Sequence, residues 1–165
     1  MDARRNRHIN GDSRGGQAVS DTIRQLICSN IITRLKAIEK SGGYSIDYLS
    51  IEEWKLTPDM PDELPAITLR DDSCDVVTYD RDHTAWRLHL TVIITARGDE
   101  SQEDLRNYVN DIYVCIGSDK TCGKYGEIIP EGDEMVLQQK DNVYGDIEIK
   151  FHVLFETRAW DLTKQ

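Results

Sequence analysis

Residues 144–157 alternate with a period of two. Ile147, Ile149, Phe151, Val153 and Phe155 fall on one side, and Asp146, Glu148, Lys150, His152 and Glu156 on the other. Side chains along an extended strand point to opposite faces in turn, so this stretch needs a sheet with one face in a core and one polar face. A second run, 83–97, sets Trp86, Leu88, Leu90, Val92 and Ile94 against Arg87, His89, Thr91 and Thr95. Two long one-sided strands require other elements to cover their apolar side.

Two helical periods can supply that cover. Ser20-Asp21-Thr22 offers a cap and a first-turn acid, and Ile23, Leu26, Ile27, Ile31, Leu35 and Ile38 then recur at spacings of three and four. This predicts a helix over 21–40, stopped by the left-handed conformations open to Gly42-Gly43. Ser101 can cap a second helix with the stripe Leu105, Tyr108, Val109, Ile112 and Ile116, ending near Gly117. Tyr44, Ile46 and Tyr48 alternate with Ser45 and Asp47 as a strand would, and 57–65, with its prolines, reads as extended loop. A short strand over 66–70 leads into an acidic loop, 71–82, with an extended arm at 76–79. A second loop, 121–133, precedes a strand over 134–140. The order is α-β-β-β-α-β-β, and the fold class is α+β, a mostly antiparallel mixed β-sheet with two α-helices packed on one face.

A chain of 165 residues supports one domain, and no apolar run approaches the roughly 20 residues of a membrane-spanning helix. Residues 1–19 read as a flexible basic arm and 20–165 as a single α+β domain. Over 1–18, Arg4, Arg5, Arg7 and Arg14 oppose Asp2 and Asp12, a balance of +2, which leaves −12 on the remainder of a chain with net charge −10. The Gly, Asn, Ser and Arg content of the arm cannot bury apolar area. Its basic start has no apolar stretch behind it and is not a secretory leader. Cys28, Cys74, Cys115 and Cys122 form no Cys-x-x-Cys pair, which points to reduced thiols in a cytosolic setting. The acidic balance argues against a general nucleic-acid binder.

The chemistry candidates are few. Glu148-x-Lys150, with Asp133 or Asp141 as a first acid, matches the residue types of one metal-dependent nuclease class, in which two carboxylates hold the metal and the lysine steadies developing charge. The alternating strand explains the same charges as a polar sheet face. His89 and His152 meet if their strands are neighbours. His8 falls in the arm and His83 at a loop. Neither a nucleophile elbow nor a phosphate loop occurs, and no cofactor or metal is expected. A small-ligand-binding α+β domain would instead show a concave apolar pocket between helices and sheet. Apolar and aromatic residues in connecting segments, namely Trp54, Met60, Val76, Val77, Tyr79, Tyr125, Ile128, Ile129 and Trp160, suit a protein that buries its loops against partners.

Several features together resemble the tail terminator (tail completion, minor tail protein) family of long-tailed bacteriophages. They are Arg34-Leu35-Lys36-Ala37-Ile38 closing the first helix, Asp62-Glu63-Leu64-Pro65-Ala66-Ile67 entering a strand, the strand Leu88 to Gly98, the acid-led helix start Glu103-Asp104-Leu105, and the final strand ending Phe155-Glu156-Thr157. The resemblance covers about 20–160 and rests on element order. It implies a non-enzymatic virion protein, made in the host cytoplasm and sited at the head-proximal end of the tail. Such a protein forms a ring, typically a hexamer, that caps the tail tube, ends its polymerisation and offers a surface for head-tail joining. The partners implied are the chain itself, the tail tube protein and head-tail connector proteins, with DNA passing through the ring unread and no membrane. A neck or connector completion role is the neighbouring alternative. Candidate subunit or partner contacts are Trp54, Met60, Val76, Val77, Tyr79, Arg81, Glu148, Lys150, His152 and Trp160, and candidate arm contacts are Arg4, Arg5, Arg7 and Arg14.

Overall fold

A computed structural model describes residues 20–48, 50–53, 64–97, 100–139 and 143–165, with side chains of 136–139 and 143–144 excluded. The arm, Trp54 and Met60 lie outside the described residues. The elements run α1 (Ile23–Leu35), a 3-10 turn (Lys40–Gly42), β1 (Ser50–Glu53), β2 (Ala66–Tyr79), β3 (His83–Arg97), α2 (Gln102–Gly117), β4 (Glu127–Gln139) and β5 (Val143–Arg158). This is the α+β order expected, with five strands in the order β1-β2-β3-β5-β4. Only β1 and β2 run parallel; the other neighbours are antiparallel.

The register explains the core. Leu88, Leu90, Val92 and Ile94 of β3 sit opposite Val153, Phe151, Ile149 and Ile147 of β5, and all are buried. Ile67 and Leu69 extend the same face into β2, paired with Ile94 and Val92. Ile27, Ile31 and Leu35 of α1 and Ile112 and Ile116 of α2 close over it, with the Tyr113 ring edge-on to Phe151 at 5.7 Å. Each such side chain taken fully out of water contributes about 1.5–3 kcal/mol.

Both helices are capped as their first residues allow. Thr22 and Gln25 form a reciprocal capping box on α1, which therefore starts at Ile23 rather than at the expected 21 and has no acid in its first turn, and Ser101 and Asp104 form another on α2. The C-terminus of α1 departs from expectation. It ends at Leu35, five residues before the predicted Lys40, because Ala37 and Ile38 donate to the carbonyls of Arg34 and Leu35 three residues back. That tightening turns Ile38 into the core, and Asp47 Oδ1 takes the Lys40 amide at 2.7 Å. Gly43, at φ 90°, ends the 3-10 turn rather than the α-helix.

Three strand assignments need correction. Tyr44, Ile46 and Tyr48 do not form a strand. The chain there is held by α2, where the buried Asp111 accepts hydrogen bonds from the Ser45 amide at 2.9 Å and from the Ser45 hydroxyl, and pairing begins only at Ser50. The acidic loop 71–82 is mostly strand, since β2 continues to Tyr79 and leaves a turn of Asp80 to Asp82. Acidic residues and broken alternation hid it. Two register shifts, at Asp71/Ser73 and Val76/Thr78, absorb the irregularity, and the carboxylates find partners: Asp71 with Arg24, Asp72 with Arg70 and Thr91, Asp75 with His89. Likewise β4 starts at Glu127 within the expected loop 121–133. Its Pro130 is tolerated because β4 is an edge strand with a register shift at that point. Ile128, expected among exposed loop residues, is therefore buried.

Candidate interaction surface

Among the described residues the helices cover one face of the sheet and leave the other open. On that face β5 presents Glu148, Lys150 and His152, β3 presents His89, Thr91 and Thr95, β2 presents Arg70, Asp72 and Asp75, and the edge strand β4 adds Glu131 and Glu134. Their charges interleave. Glu148 lies 3.7 Å from Arg70 Nη2 and 3.7 Å from Lys150 Nζ, and Lys150 reaches Glu134 at 3.5 Å. His152 Nδ1 is 2.9 Å from Glu131 Oε1, which also lies 3.8 Å from His89 Nδ1, while His89 Nε2 is 3.3 Å from Asp75. At the centre the buried Thr91 donates to Asp72 at 2.6 Å, and Thr95 donates to Asp146 at 2.9 Å. Exposed ion pairs contribute little singly, about 0–1 kcal/mol each, so these pairs add little to the stability of the fold.

The histidines meet as anticipated. His89 and His152 are register partners with ring centroids 6.3 Å apart. The nuclease arrangement is different. Asp133 pairs with Ile149, on the helix-covered side of the sheet, and accepts from the Tyr113 hydroxyl at 3.2 Å, whereas Glu148 and Lys150 face the open side. One metal ion cannot bridge Asp133 and Glu148 through the sheet. Asp141 lies outside the described residues.

A second surface forms at the far end of β2. Val76 and Val77 are about half exposed, Tyr79 is 57% exposed and Trp160 91% exposed, and the two rings meet edge to face at 6.1 Å. The hairpin turn below them is built by Asp80, which accepts the amides of Asp82 and His83 at 2.8 and 2.7 Å. Those bonds hold its carboxyl below the usual carboxylate range. Arg81 is exposed at the tip. Trp160 sits at φ 64°, a left-handed conformation that non-glycine residues adopt at a cost of about 1–3 kcal/mol. The neighbouring Ala159 amide donates to the Asp82 carbonyl at 2.9 Å, tying the chain after β5 to the hairpin turn.

The predicted contact residues thus divide between two places. Glu148, Lys150 and His152 belong to the charged face, while Val76, Val77, Tyr79, Arg81 and Trp160 gather at the hairpin end. Arg70, Asp72, Asp75 and Glu131 complete the charged face without having been singled out, because the signal for them is cross-strand register rather than any local pattern. A cleft of about 380 Å³ also opens between the start of α1, β1 and β2, lined by Asp21, Arg24, Gln25, Cys28, Ser29, Glu53, Leu69 and Asp71. Its lining is mostly polar, unlike the apolar pocket expected of a small-ligand domain. Cys28 behind it is a buried thiol pushed up to about 12 by desolvation, unsuited to nucleophilic work. No helix among the described residues is long and apolar enough to cross a membrane. Comparison with protein-family models and with curated proteins returned no match to this chain.

Proposed function

We propose that this chain is a non-enzymatic phage assembly protein of the tail terminator type, a subunit of a ring that caps the tail tube, ends its growth and receives the head. The observation that carries this reading is the charged side of the sheet, which no element among the described residues covers, together with the exposed Tyr79 and Trp160 end. A single domain with one helical layer leaves two chemically distinct surfaces for neighbours, one of mixed charge and one aromatic. A closed ring needs two different patches on each subunit, because its interfaces are head-to-tail. The partners are then other copies of the chain, the tail tube protein and the head-tail connector proteins, with the virion as its final location. The negative balance of the body suits a ring through which DNA slides without adhering.

Light scattering at micromolar concentration tests the reading, alone and with tail tubes present. A ring or a tube-bound cap is expected in the unmodified chain, weakened by Glu148→Lys or Trp160→Ser. A chain that stays monomeric under every salt condition and never binds tubes would sink it.

A further inference from the structure

We draw no further inference here: the strongest candidate, the His89, His152 and Glu131 cluster on the charged face of the sheet, carries nothing, because among the described residues no three His, Cys, Asp or Glu side chains stand so as to hold a metal ion, and nothing in the structure shows what covers that face.

Discussion

Arg34 joins the two helices, and removing it should be costly. The last carbonyls of α2 have no basic side chain in their own final turn. Arg34, reaching across from α1, donates to the carbonyls of Asp119 at 2.9 Å and Cys115 at 2.8 Å and also bonds the Ile116 carbonyl. Cys115 Sγ returns a bond to the Arg34 carbonyl at 3.3 Å. A cation at a helix C-terminus is favoured by the helix dipole, and hydrogen bonds from a charged donor contribute about 1.5–3 kcal/mol each when sheltered. Arg34 is part-buried, so the lower end of that range applies. Arg34→Met keeps the aliphatic stem and loses the bonds to the carbonyls, for an expected loss of about 3–5 kcal/mol. For a domain of this size that lowers the melting temperature by roughly 10 °C. Arg34→Lys, which reaches one carbonyl at a time, should fall between. Thermal and urea unfolding of the three proteins decide the matter. A Met variant within about 1 kcal/mol of the parent would refute the claim that this guanidinium holds the helix pair.

Other consequences follow from single contacts. A Cβ added at Gly126 would lie 2.6 Å from the Leu154 carbonyl and 2.7 Å from Val153 Cγ1, so Gly126→Ala should cost about 1–3 kcal/mol in urea unfolding. Ile112→Ala empties a fully buried position between α2 and the sheet and should cost about 2–5 kcal/mol by the same measure. Hydrogen bonds from the Thr121 hydroxyl, the Gly123 amide and the Thr121 amide hold the Asp119 carboxyl at about 2, below its ordinary 3.8. Because the folded value is the lower one, its contribution is present above the ordinary value and lost as the pH falls from about 4 to about 2. After allowance for solvent screening this is about 1 kcal/mol, seen as a stability gap between parent and Asp119→Asn at neutral pH that closes in acid. Thiol labelling near pH 8 should modify Cys74, which is only partly covered, before Cys28 and Cys122, whose burial pushes them up to about 12 and about 11. Earlier reaction of Cys28 or Cys122 would contradict the placement of α1 and of the turn after α2.

The sequence by itself determined which side of β3 and of β5 is buried, where α2 begins and, to within two residues, where α1 begins, and that the fold is α+β. These are local properties: a period of two or of three to four is written into neighbouring residues, and caps such as Thr22 and Ser101 act within one turn. The sequence also placed His89 opposite His152, provided β3 and β5 were neighbours. Only the tertiary structure decided that they are. It also decided that the acidic run after Arg70 is strand, because Asp71, Asp72 and Asp75 are matched by Arg24, Arg70, Thr91 and His89 from other turns of the chain. The same holds for Glu148. Its spacing to Lys150 was legible as a pair of charges on one face, but the side of the sheet on which Asp133 lies, and the salt bridges that engage Glu148, depend on strand order and register. Those are set by long-range pairing energies that no window of sequence contains.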